Sequence, residues 1–292
     1  MASKALAAAA LMLNALVWGV SWWPFRELQS HGLHPLWATA LIYVLALVFL
    51  MLYAPGGGRG WDRYPMLWLL AAAAGLTNVG FNWAVTVGDV VRAVLLFYMM
   101  PAWVVLLAWP LLGERPSRGS VLRVVLAMTG VAIVLKTPGS SWPLPESLAD
   151  ALALMGGFCF ALTNILLRRL NQSPSEARML AMFGGGALMA TAAALLGMQL
   201  GLVGRVPAPS SDWLYLALAV SVAFLAGNMA LQYGASRLRA STTSVIMLSE
   251  VLFASVSSVL LGTGDWSSRT VVGGALILLA SLLSMLNNST HS

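Results

Sequence analysis

The chain has 292 residues, 59% hydrophobic and only 9% charged, with a mean hydropathy of +0.83, whereas an average soluble domain carries about 25% charge. That composition excludes a soluble globular protein and places the chain in a lipid bilayer. The net charge of +6 and pI near 10.0 come without a basic cluster in any soluble region, which excludes nucleic acid as a partner and assigns the charge to cytoplasmic loops.

A bilayer core takes about 20 apolar residues per helix, and ten such stretches follow one another at 5–25, 35–53, 65–87, 92–112, 119–136, 148–168, 177–200, 212–234, 240–261 and 268–286. Short connections leave no room for a separate soluble domain. The first stretch, Ala-rich after Lys4, imitates a signal peptide, but Trp18, Trp22, Trp23 and Pro24 stand where small cleavage-site residues belong. It is read as a helix. Asn14, Trp18, Ser21 and Trp22 share one of its faces at i, i+4, i+7 and i+8, and Pro24 near its outer end is a candidate hinge. The third stretch repeats the pattern with Asn78, Phe81, Asn82 and Val85.

Pro101 falls inside the fourth stretch, where a missing N–H and a ring clash predict a kink. The kink either frees the Phe97 carbonyl for a ligand, with Tyr98 and Met99 in the same turn and Trp103 nearby, or serves packing alone. The sixth stretch clusters Phe160, Thr163 and Asn164 beside Cys159, the single cysteine, which permits neither an internal disulfide nor a Cys-rich metal site. The eighth offers Phe224, Asn228 and Gln232. Polar groups facing lipid would lose their hydrogen bonds, so these faces should turn inward. There they are either glue between helices, worth about 0.6 kcal/mol each on average, or the wall of a cavity. Trp61, Trp142, Trp213 and Trp266 sit at span ends, where interfacial anchors belong.

Glu250 lies about halfway along the ninth stretch, out of snorkelling reach of either end, with Ser244, Met247 and Val251 on its side. A charge at bilayer centre costs roughly 3 kcal/mol or more, so it must face protein or water. Three roles are open to it: a structural or gating hydrogen bond, contact with a substrate ammonium, and proton coupling. The first is favoured, because no second intramembrane carboxylate forms a relay.

Lys and Arg in loops set orientation. With the N-terminus inside, the cytoplasm receives Lys4, Arg59, Arg63, Arg115, Arg118, Arg123, Arg168, Arg169, Arg178, Arg237 and Arg239, eleven of the sixteen basic residues. Both termini are therefore expected in the cytoplasm. An internal repeat also emerges: "TNVGFNWAVTVG" (77–88) lies over "AFLAGNMALQYG" (223–234), matching Asn82 with Asn228, and "WGVSWWPFREL" (18–28) over "FALTNILLRRL" (160–170). Units of five helices, an odd number, enter the membrane upside down relative to each other. Such inverted repeats characterise secondary transporters with a site near the midplane. The units are expected at 1–140 and 141–292.

In "LVWGVSWWPFREL" (16–28), "YMMPAWVVLLAWPLLGERPSRGS" (98–120) and "SEVLFASVSSVLLGTGDWS" (249–267) the chain resembles the drug/metabolite transporter superfamily in its ten-helix EamA-type branch. The resemblance covers essentially the whole chain. Its Trp and Met content is also similar to that of the aromatic amino acid exporters. Many relatives carry a Glu-Pro pair in the ninth helix and close it with a Gly-Glu like Gly113-Glu114; here Val251 follows Glu250 and Thr263-Gly264 ends the segment, so the second unit is more diverged.

The three histidines, His31, His34 and His291, fall outside the spans, and no span holds paired carboxylates. Intramembrane hydrolysis and metal chemistry are therefore not expected, no cofactor is implied, and no G-x-x-x-x-G-K-[ST] stretch binds ATP. Rings of charge or a carbonyl filter, which a channel wants, are not visible. A scaffold would not explain amide and aromatic faces recurring in both halves. The expectation is an all-α secondary transporter in the inner (cytoplasmic) membrane, a monomer whose partners are lipid and a small organic substrate. Its cargo is expected to be amino acids including aromatic ones, exported by alternating access, with aromatic or quaternary cations as the alternative. Cysteines introduced near His34 and Ser141 should label from outside intact cells and those beside Arg59 and Arg168 should not; labelling at position 59 overturns the topology.

Overall fold

The computed structural model describes residues 2–53, 61–87, 90–135, 147–261 and 268–287, and every regular element among them is an α-helix. The first half holds α1 (Ala2–Val20), α2 (Trp22–Ser30), α3 (Pro35–Tyr53), α4 (Met66–Val87), α5 (Val90–Phe97), α6 (Met100–Leu112) and α7 (Arg118–Leu135). The second holds α8 (Leu148–Arg169), α9 (Ser175–Gln199), α10 (Ser211–Ala235), α11 (Ala240–Met247), α12 (Glu250–Leu260) and α13 (Ser268–Asn287). Among the described residues six helical stretches are long and apolar enough to cross a membrane. Leu106, Leu188, Val222 and Leu282 lie exposed on the outside of the bundle, as suits a surface solvated by lipid. The expected unit boundary at 140/141, together with Arg59, Ser141, Trp142, Thr263-Gly264, Trp266 and His291, lies outside the described residues.

Local chemistry accounts for the helix ends. Ser147 and Asp150 form a reciprocal capping box that starts α8, and the Ser210 hydroxyl accepts from the Asp212 N–H at the start of α10. Gly113 closes α6 in the left-handed conformation, φ 71°, which only glycine adopts without a Cβ penalty.

Packing partners exchange between the halves. α4 packs on α8 as α10 packs on α1; α6 packs on α8 as α12 packs on α1; α3 pairs with α9 and α7 with α13. Lipid offers no hydrophobic gain for helix association, so close backbone approach must supply the contact. A Cβ on Gly80 would sit 2.6 Å from the Leu152 carbonyl oxygen and 2.9 Å from the Gly156 Cα, and one on Gly185 would run into the Ala71 carbonyl. These contacts seat α4 against α8 and α9.

Three expected spans are interrupted. The first breaks at Ser21, between α1 and α2, one turn before Pro24, whose ring excludes a straight continuation past Val20. The fourth breaks at Tyr98-Met99, one turn before Pro101, where the chain tightens into an i→i+3 bond from the Met99 N–H to the Leu96 carbonyl. The ninth, read from sequence as one helix, breaks at Leu248-Ser249 with no proline to cause it. Here the Leu248 and Ser249 N–H groups bond to the Val245 and Ile246 carbonyls, and the Ser249 hydroxyl also donates to Ile246, 2.6 Å. The two later breaks stand 150 positions apart, in matching places of the two halves.

Neighbouring glycines test the packing. A Cβ at Gly184 meets nothing within 4 Å, so Gly184→Ala should leave the melting temperature in detergent unchanged or slightly raised. Gly185→Ala must push α4 from α9, an overpacking cost of about 1–3 kcal/mol, and should lower the melting temperature by several degrees. Equal melting temperatures for the two variants overturn the assigned contact.

Candidate functional site

One cavity lies where the halves meet. Its wall takes Trp18 from α1, Tyr43 from α3, Ala74, Thr77, Asn78 and Phe81 from α4, and Phe97 from α5. Phe160 and Thr163 of α8, Met182 of α9, Asn228 and Leu231 of α10, and Glu250 at the start of α12 complete it. Its volume is about 60 Å³, far below the roughly 300–1,000 Å³ of an open ligand pocket. That space is smaller than an amino acid.

The apolar wall is largely aromatic. Trp18 packs on Phe224 with centroids 4.4 Å apart, Phe97 stacks on Phe160 at 5.8 Å, and Phe81 meets Phe97 at 4.8 Å. The carbonyl of Phe97, released by the Pro101 kink, lies against Gly157, so the kink is held by packing. Several polar groups on the wall are already engaged. The Tyr43 hydroxyl donates to Asn78 Oδ1, 3.0 Å, the Asn78 amide donates back to the Ala74 carbonyl, 2.8 Å, and the Thr77 hydroxyl donates to Ala73. Thr163 is different, since its buried hydroxyl has no partner among the described residues.

Glu250 stands at the second mid-span break and shares a side-chain hydrogen bond with Tyr98, which stands at the first. The two interrupted helices therefore meet through a phenol and a carboxyl at the edge of the cavity. A carboxylate has acceptor capacity on both oxygens, so a bond to Tyr98 leaves capacity facing the wall on which Glu250 also lies.

Of the residues expected from sequence at the site, Trp18, Asn78, Phe81, Phe160, Thr163, Asn228 and Glu250 come together on this wall. The structure places the others elsewhere. Asn14 is fully buried and donates to the Gly227 carbonyl, 2.7 Å, which ties α1 to α10. Ser21 returns its hydroxyl to Trp18 O, and Trp22 Nε1 donates to Ser257 Oγ, 2.9 Å, across to α12. Asn82 donates to Thr39 Oγ1 and is not among the residues that line this cavity. Asn164 donates to Phe160 O, Ser244 to Ser241 O, and Met247 lies in the main core beside Met100 and Ile246. Trp103 meets Phe158 edge to face, Tyr98 and Met99 form the break, and Gln232 sits behind Asn228. Trp213 is 5% exposed and packs inside, so it is no interfacial anchor.

Tyr43, Ala74, Thr77, Met182 and Leu231 line the cavity without having been expected there, and Phe97, expected only through its carbonyl, lines it as well. Thr77, Asn78 and Phe81 share a helical face, a signal that was available for Thr77. Tyr43 and Met182 lie in the middle of α3 and α9, where apolar and small residues surround them on every side and give no periodicity to read.

Several of the expected cytoplasmic arginines among the described residues gather at one end of the bundle. Arg168 pairs with Glu114 at 3.5 Å and donates to the Ser236 carbonyl, while Glu114 Oε2 also accepts from the Ala240 N–H at the start of α11. Arg169 donates to Leu111 O and Arg178 to Leu170 O and Ser173 O. A cleft of about 260 Å³ at this end is lined by Arg115, Arg123 and Arg239 among others.

No curated protein matches the chain. Among solved structures 27 chains match; one, described only as "Crystal structure of protein", superposes with a TM-score of 0.80 at 16% identity and covers 99% of this chain and 100% of its own. At that identity the likeness concerns the fold alone. Residues 5–136 and 147–286 each match the EamA-like transporter family, one match in each half of the bundle and together nearly all of the sequence. With the helical halves, the lipid-facing exterior and the cavity between them, this match shows that the chain belongs to the EamA-like transporter family and is a multi-pass membrane transporter of small solutes rather than an enzyme.

Proposed function

We propose that the protein exports amino acids, aromatic ones among them, across the cytoplasmic membrane by alternating access of two inverted five-helix units, with ten spans and both termini in the cytoplasm. The observation that carries this reading is a small aromatic cavity between the halves in which Glu250 is the one charged residue on the described wall. Rings provide area for an apolar or aromatic side chain, and a carboxylate in a low-dielectric wall attracts an ammonium more strongly than it would in water. A cavity of about 60 Å³ must widen to admit such a solute, and the exchange of packing partners between the halves supplies two related arrangements through which it can do so.

Glu250 takes two tasks in this scheme. Its bond to Tyr98 holds the two mid-span breaks together, and its remaining acceptor capacity meets the substrate ammonium. The sequence favoured the first task alone; the position of Glu250 on the cavity wall supports joining the second to it. The same lone carboxylate favours the second reading, export of aromatic or quaternary cations, because the described wall holds no Lys or Arg to receive a carboxylate.

Purified protein in liposomes separates the two. Uptake of labelled tryptophan and phenylalanine, saturable and absent from empty liposomes, is expected; transport of tetraphenylphosphonium with no movement of either amino acid replaces the first reading by the second. Glu250→Gln keeps the shape and an acceptor for Tyr98 but removes a charge-assisted bond of about 1.5–3 kcal/mol. It should therefore lower amino acid uptake roughly tenfold to a hundredfold, and unchanged uptake by the inserted variant returns Glu250 to the hydrogen bond alone. Trp18→Ala deletes wall area while Phe224 still fills the core behind it, so uptake should fall several-fold with insertion intact. Loss of insertion would make Trp18 a packing residue.

A further inference from the structure

The described wall lacks a cation for a substrate carboxylate, yet one buried chain of hydrogen bonds leads from an arginine to the cavity. Arg178 of α9 is 7% exposed, Gln232 of α10 is 3% and Asn228, one turn away, is 6%. Arg178 Nε lies 3.2 Å from Gln232 Oε1, and Gln232 Nε2 lies 3.2 Å from Asn228 Oδ1. Asn228 lines the cavity, and its Nδ2 has no protein partner among the described residues.

The direction of every amide in this chain follows from its first member. A guanidinium only donates, so the Gln232 atom facing Arg178 must be the oxygen. The Gln232 nitrogen then faces Asn228, whose facing atom must be an oxygen in turn. What remains for the cavity is the Asn228 NH₂. Turning either amide over would set two donors against each other in a buried space, at the cost of an unsatisfied group. Arg178 is itself fixed, since its Nη1 donates to the Leu170 carbonyl at 2.8 Å and the Ser173 carbonyl at 2.6 Å, both in the turn between α8 and α9. Hydrogen bonds in sequence polarise one another where the dielectric is low, so the positive charge of Arg178 strengthens the donor at the far end.

We propose that Asn228 receives the substrate carboxylate and that Arg178, acting through Gln232, is the positioning residue that keeps its NH₂ turned to the cavity. This rests on the amino acid reading above and deepens it. A donor at Asn228 and an acceptor at Glu250 on one wall match the two poles of a zwitterion, and Asn228 then decides between an amino acid and the amine that lacks its carboxylate.

Gln232→Glu tests the relay with almost no change of shape. A carboxylate at 232 accepts from Arg178 and turns a second oxygen to Asn228, which must rotate its NH₂ toward it and leave its own oxygen on the cavity. Asn228→Asp removes the donor directly. Tryptophan and tryptamine uptake into liposomes, measured for the wild-type protein and both variants, should show the tryptophan-to-tryptamine ratio falling roughly tenfold or more, with tryptamine uptake largely kept. A merely structural role would lower both solutes together and leave the ratio unmoved. If Gln232→Glu fails to insert, Asn228→Asp and Asn228→Ala carry the test. An unchanged ratio in the inserted variants overturns the donor assignment while the function stands. Wild-type protein that moves tryptamine alone, or neither solute, overturns the amino acid reading together with the assignment.

Discussion

A backbone amide or carbonyl released inside a hydrocarbon layer has no water to turn to, and each such group left bare costs several kcal/mol. The architecture of this protein depends on where it breaks helices under that constraint. Both mid-span breaks tighten into i→i+3 bonds, and each draws help from its surroundings. At Tyr98-Met99 the released Phe97 carbonyl settles against Gly157 of α8; at Leu248-Ser249 the Ser249 hydroxyl supplies an extra donor to Ile246. Breaks of this kind are tolerated where they line a protein cavity, and Phe97 and Glu250, at their edges, do so.

Once two helices are interrupted, their ends become sites for chemistry that an intact helix cannot offer. Tyr98 and Glu250 reach each other because each stands at a break. Around them the glycine contacts of α4 with α8 and α9 bring backbones close enough for side chains from eight helices to meet on a small volume. Close approach and interruption thus act together, the first drawing the wall inward and the second supplying its polar edge.

The polar residues inside the bundle divide by what lies opposite them. Asn14 donates to the Gly227 carbonyl, Asn82 to Thr39, and Asn78 is bonded to Tyr43 and Ala74; these bonds tie helices of the frame to one another, although the Asn14 oxygen has no partner among the described residues. Thr163 and Asn228 keep hydrogen-bonding capacity toward the cavity. An arginine, absent from the wall itself, reaches it in effect through two amides. Burying Arg178 costs desolvation, and the carbonyls of Leu170 and Ser173 offset that cost while holding the guanidinium in place.

Helix placement was legible in the sequence because it depends on local properties. Apolar run length put the sixth stretch at 148–168, where α8 runs Leu148–Arg169, and the second at 35–53, where α3 runs Pro35–Tyr53. The Pro101 break was legible for the same reason, since a proline clashes with its own preceding turn wherever it sits. The break at Leu248-Ser249 was not, because no residue there forbids a helix and only its place opposite Tyr98 and Met12 makes the interrupted form the better one. Inward-facing amides could be named from periodicity, as Asn14, Asn78, Asn82 and Asn228 were. Periodicity tells which side of a helix a residue occupies, while the partner that takes its hydrogen bond comes from another helix. Whether an amide ends as glue or as a wall was therefore decided by tertiary structure alone.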